Sequence, residues 1–169
     1  MKRAILVLGI FWGIILGAFF GVNYFEKKEV ELNLAPETFA EMYRVEDIKG
    51  NAAIAAVNDL HGKLIDIKAA EVITYKNYQQ EARIWISEAN SVQEAAYLCE
   101  LMDRKIKAAI GKSPFSYPET LEIGGLTIYK TYGMGRVHYY YQSKDKVFWL
   151  ELPAELHQDL LKEALKIWK

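Results

Sequence analysis

The sequence predicts an α+β fold, in which a single N-terminal transmembrane helix precedes a two-layer sandwich with its helices packed on one face of a mainly antiparallel sheet. An uncharged run of 22 residues, 4–25, opens the chain. Behind it, β-rich segments alternate with short polar turns, which is typical of hairpins. Two amphipathic segments of helical period accompany them. The predicted element order behind the membrane is about ααββαβββα.

The uncharged run is long enough to cross a membrane. As a helix rising about 1.5 Å per residue it spans ~33 Å, and a bilayer core is ~30 Å thick. A cleaved signal peptide is the alternative, but its apolar core is usually ~7–15 residues long and ends at small side chains. We therefore expect an uncleaved signal anchor over residues 1–25. Lys2 and Arg3 precede the run, and we expect a cytoplasmic N-terminus in the cell membrane with an extracytoplasmic C-terminal domain.

Four glycines recur at every fourth position of this run: Gly9, Gly13, Gly17 and Gly21. Each four-residue step drifts only ~40° around a helix, so the glycines line one shallow face. Small residues in that arrangement allow two membrane helices to pack closely. Glycine is also generally frequent in membrane helices, which is the alternative explanation. The pattern predicts a helix-packing face for a second copy or another membrane protein.

Composition limits the remaining chain, which divides into a stalk (26–34) and one domain (35–169). The whole sequence has 21 basic and 22 acidic residues. Such a balance lacks the basic excess of a nucleic-acid-binding protein, so we expect no nucleic-acid partner. The single cysteine, Cys99, excludes an intramolecular disulfide and multi-cysteine metal sites. We expect no cofactor.

In the first part of the domain, the sequence predicts two helices and a hairpin. Pro36 suits the first turn of a short helix over 36–43. A second helix is expected over 51–61, with Gly62 at its end. The Ile-, Val- and Thr-rich segment 64–75 and the segment 82–86 then predict a hairpin.

The second part begins with the best-defined helix. Ser91 and Glu94 form a capping box, and apolar residues recur at helical spacing until Gly111. Strands are expected over 126–132, 136–142 and 146–152, joined by residues 133–135 and 143–145. A helix over 154–168 ends the chain.

Aromatic residues on the last two strands are the candidate binding surface. Tyr139, Tyr141 and Trp149 are the residues we expect to contact a peptide, glycan or lipid, because tyrosine and tryptophan are enriched at binding hot spots. The alternative is structural, since both residue types favour strands and pair across them.

Histidines and acidic residues give no recognisable catalytic pattern. His61 and His138 are candidate ligands of a metal or haem, since imidazole binds both, but they lack the close spacing of a ligand pair, which favours a structural role. His157 is expected to be solvated, and Glu119 and Glu122 to lie in a loop. We therefore expect a non-catalytic, single-pass accessory or assembly subunit of a membrane complex, or alternatively a tethered binding module that uses the aromatic surface.

Overall fold

The computed structural model describes residues 30–169 as an antiparallel sheet of eight strands with three helices. The strands are β1 (Thr38–Phe39), β2 (Met42–Lys49), β3 (Ala69–Lys76), β4 (Glu81–Glu88), β5 (Glu119–Ile123), β6 (Leu126–Gly133), β7 (Arg136–Ser143) and β8 (Lys146–Pro153). The helices are α1 (Gly50–His61), α2 (Val92–Ala108) and α3 (His157–Ile167). A mainly antiparallel α+β domain is thereby confirmed.

The predicted anchor, its glycine face and the first residues of the stalk lie outside the described residues. Within residues 30–169, each helix is too short or too polar to cross a membrane.

The sheet has the strand order β1-β2-β3-β4-β8-β7-β6-β5, with every neighbouring pair antiparallel. Strands β4 and β8 therefore join an N-terminal and a C-terminal half at the centre of the sheet. Trp85 of β4 and Trp149 of β8 are directly paired across this junction. Their side chains lie on the same face of the sheet, because residues directly opposite each other share a face.

The helices cover both faces of the sheet, which corrects the prediction of helices on one face. Helix α3 packs against the face that carries Tyr139, Tyr141 and Leu150. Helices α1 and α2 pack against the opposite face. The cause is visible in β7, where five consecutive residues, 137–141, are buried. A strand that is apolar on both sides needs a cover on both sides.

The predicted helix over 36–43 is a β-hairpin instead. Ala40 and Glu41 form its two-residue turn with φ of 45° and 65°, a conformation that residues other than glycine rarely adopt. The turn brings Phe39 and Met42 together as paired residues, 1% and 0% exposed. Burial of these two large side chains offsets the cost of the turn. Tertiary packing has thus overridden the local preference of Pro36.

The other secondary-structure predictions meet mixed outcomes. Helices α1, α2 and α3, and strands β3, β4, β6, β7 and β8, are confirmed with shifted ends. Ser91 Oγ accepts a hydrogen bond from the Glu94 amide at 3.1 Å, as the capping box requires. The predicted loop containing Glu119 and Glu122 is wrong, because both residues belong to edge strand β5.

The end of the predicted stalk packs against the domain. Leu32 is only 6% exposed and belongs to the core under α3. The Leu34 amide donates to Glu71 Oε2 at 2.8 Å, and the Leu34 carbonyl accepts from Trp168 Nε1 at 3.0 Å. The ordered domain therefore includes residues that the sequence assigned to the stalk.

Candidate binding groove

The predicted aromatic surface is not a surface in the structure. Tyr139 and Tyr141 lie under α3, 1% and 0% exposed, whereas Trp149 lies on the opposite face at 7%. The Tyr141 hydroxyl donates to the Trp168 carbonyl at 3.1 Å, so it is held in the core. Only Trp149 of the three borders a cavity between the helices.

A one-residue difference in register explains this correction. A three-residue loop over 143–145 would place Tyr139 opposite Trp149. In the structure Ser143 pairs with Lys146, so the turn has two residues and Tyr140 is opposite Trp149 instead. Lys144 has a φ of 54° in this turn. A shift of one residue moves every side chain of a strand to the other face.

Two adjoining cavities lie between α1 and α2 over the paired tryptophans. Their volumes are about 50 Å³ and about 190 Å³. The first is lined by apolar side chains from both helices, from the chain that follows α1 and from the sheet, and the second extends along α2 toward Phe115. Both are bordered by Leu60, His61, Met102, Lys105 and Trp149. We call the two cavities together the α1–α2 groove.

The groove exists because α1 and α2 pack on separate parts of the sheet. Helix α1 covers Ala70 and Val72 of β3, and α2 covers Tyr140 and Trp149. The half-buried residues Trp85 and Leu98 contact both clusters. Two helices over two clusters leave a furrow along the central strands, and the tryptophans form its floor.

Trp149 is held in a fixed orientation. Its ring stacks on Tyr140 at 5.3 Å with an interplanar angle of 9°, and Phe115 meets it edge-on at 5.7 Å. The Tyr140 hydroxyl donates to Asp103 Oδ1 at 3.0 Å, and Lys107 pairs with Asp103 Oδ2 at 2.7 Å. Burial raises the pKa of Tyr140 well above its usual range, so its hydroxyl stays protonated as the donor. The floor of the groove is therefore rigid.

The mouth of the groove is basic. His61, Lys63 and Lys105 border it. His61 Nδ1 lies 2.8 Å from the Val57 carbonyl, which fixes the proton on Nδ1 and leaves Nε2 as the second ring nitrogen. Burial lowers the pKa of His61, and the charges of Lys105 and Lys63 lower it further. At neutral pH the mouth therefore carries a neutral imidazole together with two ammonium groups.

His138 lies deeper, on the same face as Trp149. It is 1% exposed, its ring centroid is 5.1 Å from that of Phe115, and its Nε2 donates to the Gly133 carbonyl at 3.1 Å. Burial lowers the pKa of His138. Its Nδ1 has no hydrogen-bond partner among residues 30–169. In that range, His, Cys, Asp and Glu side chains do not gather in threes as they do around a metal ion.

His157 and Cys99 have structural roles, because each is held within the fold. The His157 Nδ1 shares a hydrogen bond with the Tyr139 hydroxyl, which corrects its expected solvation. Cys99 is 3% exposed, and burial raises the pKa of its thiol to about 12. Such a thiol is not a nucleophile at neutral pH.

A buried acid pair at the edge of the sheet escaped the sequence analysis. Glu71 is 0% exposed, and its Oε1 lies without a hydrogen-bond partner in the described chain, as does Asp47 Oδ1. Burial, chiefly, and the neighbouring Asp47 carboxylate raise the pKa of Glu71. Lys49 Nζ lies 3.2 Å from Asp47 and 3.8 Å from Glu71. Glu71 fastens the chain at Leu34 to the sheet.

Comparisons with known proteins give no relative. No protein-family model matches the chain, and neither a curated protein nor a solved structure matches it.

Proposed function

We propose that this chain is a membrane-tethered, extracytoplasmic and non-catalytic binding domain that holds an apolar ligand in the α1–α2 groove. The observation that carries the proposal is the pair of adjoining cavities over Trp85 and Trp149. Ligand sites in proteins are concave, mainly apolar and supplied with a few placed polar groups. The groove combines these features, and its polar side chains are those of His61, Lys63, Ser87, Lys105 and Ser113.

Binding rather than catalysis is favoured by the lining itself. Aliphatic and aromatic side chains provide most of it. The tryptophan that we selected from the sequence, Trp149, remains a site residue, while Tyr139 and Tyr141 serve the core on the other face. Rigid aromatic floors suit ligand binding because little side-chain entropy is lost when the ligand arrives.

A pair of alanines allows a test that works even while the identity of the ligand is open. Ala109 lines the groove, whereas its neighbour Ala108 is exposed and outside it. The full-length chain, extracted from its own membrane in polymer-bounded lipid discs, is compared as wild type, Ala109→Trp and Ala108→Trp. Native mass spectrometry and analysis of the extracted small molecules report what each protein carries.

We expect one small molecule to accompany the wild type and Ala108→Trp and to be lost from Ala109→Trp, whose indole fills the second cavity. Equal content in all three proteins, or no bound molecule in any of them, would contradict the proposal.

A second proposal concerns the anchor: the chain serves as an accessory or assembly subunit through its glycine face. It rests on the spacing of Gly9, Gly13, Gly17 and Gly21 in the sequence. Gly13→Ile should abolish association with a second copy or another membrane protein in native mass spectrometry, and Ile15→Val, off the glycine face, should retain it. Monomers in all samples would leave the anchor as a tether only.

A further inference from the structure

The lysines at the mouth of the α1–α2 groove are unpaired. Neither Lys63 nor Lys105 has a carboxylate within 4 Å of its ammonium group among residues 30–169. By contrast Lys107, half a turn further along α2, pairs with Asp103 at 2.7 Å. Lys63 and Lys105 line the same cavity, together with His61. Positive charge is concentrated where the apolar interior meets water.

Among residues 30–169, the charge of these two ammonium groups is not neutralised by an ion pair. An anion at the mouth is attracted by both ammonium groups, because both lysines line the first cavity. The mouth is therefore complementary to negative charge.

The interior of the groove favours an apolar body for the ligand. Its walls are apolar side chains such as Leu98, Leu101 and Ile67. The strands beneath have their backbone hydrogen bonds used within the sheet. A peptide in this furrow would leave its own N–H and C=O groups unpaired, at a cost for each group. An alkyl chain has no such groups and gains by burial.

We propose that the ligand of the α1–α2 groove is a long-chain carboxylate, with its alkyl chain over Trp85 and Trp149 and its carboxylate between Lys63 and Lys105. This inference rests on the proposed function and specifies the class of ligand. His61 borders the same mouth, and a bound carboxylate would favour its imidazolium, because a neighbouring negative charge stabilises the protonated ring. Two charge-assisted contacts then hold the head group.

Tryptophan fluorescence provides the test. The probe is ω-bromoundecanoate, whose bromine quenches an indole that it touches, and the comparison probe is the uncharged ω-bromoundecanol. The protein is the full-length chain in phosphatidylcholine nanodiscs, with Trp12→Phe to remove the indole of the predicted anchor. Trp168 remains as an internal reference, because it lies on the opposite face against Phe39.

The charge contribution is isolated by matched double variants. Lys63→Gln with Lys105→Gln removes the two mouth charges, and Lys112→Gln with Lys144→Gln removes two exposed lysines elsewhere. Partition of the probe into the bilayer is the same for all proteins and cancels in the comparison. Because all four lysines are exposed, equal thermal midpoints are expected and would confirm equal folding.

We expect ω-bromoundecanoate to quench wild type and the Lys112/Lys144 variant equally. The Lys63/Lys105 variant should need about tenfold more probe, and ω-bromoundecanol should bind wild type about as weakly, in keeping with the loss of a charge-assisted contact.

Equal quenching of the Lys63/Lys105 variant, or equal binding of the alcohol, would overturn the carboxylate while leaving the groove as an apolar site. Tighter binding of ω-bromoundecyl phosphate would reassign the head group and overturn the carboxylate as well. An absence of quenching by every probe would refute the proposed function too.

Discussion

The two faces of the sheet are built from similar residues but differ in how they are covered. On the face under α3, a single cluster of twenty buried residues extends from Leu32 to Trp168. On the face under α1 and α2, the buried residues fall into two clusters of six and five. Helix α3 and the chain segment at Leu32 cover one continuous core and seal it. Helices α1 and α2 cover two separate clusters and leave a furrow between them. The furrow, and not the density of aromatic residues, marks the candidate site.

Truncation of matched leucines should separate the two faces most strongly. Leu150→Ala, at a 0% exposed position under α3, should lower the free energy of unfolding by about 3 kcal/mol, because a close-packed site cannot collapse. Leu101→Ala, in the wall of the groove, should cost roughly 1 kcal/mol or less, since part of its surface is already in contact with solvent. Urea unfolding of the full-length chain measures both. Equal losses would mean that the two faces are packed alike.

Replacement of Glu71 should produce the next largest effect, and it tests how the sealed face is closed. Glu71→Ala removes the acceptor of the Leu34 amide, so we expect a loss of roughly 1–3 kcal/mol at neutral pH. Glu71→Gln retains an acceptor and carries no charge, so it should be as stable as wild type or more stable. Denaturant titration at pH 7 distinguishes the two, and a Glu71→Gln variant as unstable as Glu71→Ala would show that the charge is required.

The pH dependence of Glu71 follows from the raised pKa of its carboxyl. In the fold the carboxyl holds its proton more tightly than in the unfolded chain, where its pKa has the usual value of 4.5. Its contribution is therefore fully present below about pH 4.5 and is lost as the pH rises through the folded pKa. In Glu71→Gln this dependence should vanish. A wild type and a variant with parallel stability profiles between pH 4.5 and pH 7 would contradict the raised pKa.

His138 should give the smallest effect, with the opposite sign. Burial lowers its pKa below the usual 6.5, so below that pH the unfolded chain binds a proton more readily than the fold does. Wild type should thus lose stability as the pH falls from about 6.5, and His138→Gln should show a shallower decline over that window. Thermal midpoints across this range measure the difference. A decline as steep in the variant would assign it to other groups, His61 among them.

The sequence is sufficient for elements with strong local signals. The structure confirms two helix ends that residue types predict. Ser91 and Glu94 form the capping box at the start of α2, and Gly62 ends α1 with a φ of 62°. The β6–β7 and β7–β8 hairpins are also predicted, because alternating apolar residues flank short turns, although their turns have two residues and not the predicted three. These features depend on residues that are close in the sequence, so a local sequence pattern is enough to predict them.

Features that depend on distant contacts escaped prediction. The hairpin at Ala40 and Glu41 has no turn signature, and it forms because Phe39 and Met42 are buried together. A single-residue register difference at Lys144 moved Tyr139 and Tyr141 away from Trp149. The groove itself needs α1 and α2 side by side over β4 and β8, strands separated by more than fifty residues. The one local signal was a tryptophan in each of two strands.

Xenon binding tests most directly whether one face is open and the other sealed. Xenon enters dry apolar cavities without any specific chemistry. In a crystal of the full-length chain pressurised with xenon, we predict density between α1 and α2 in contact with Trp149, absent from Ala109→Trp. No xenon is expected beside Tyr141 under α3. Xenon under α3, or none between α1 and α2, would contradict the account.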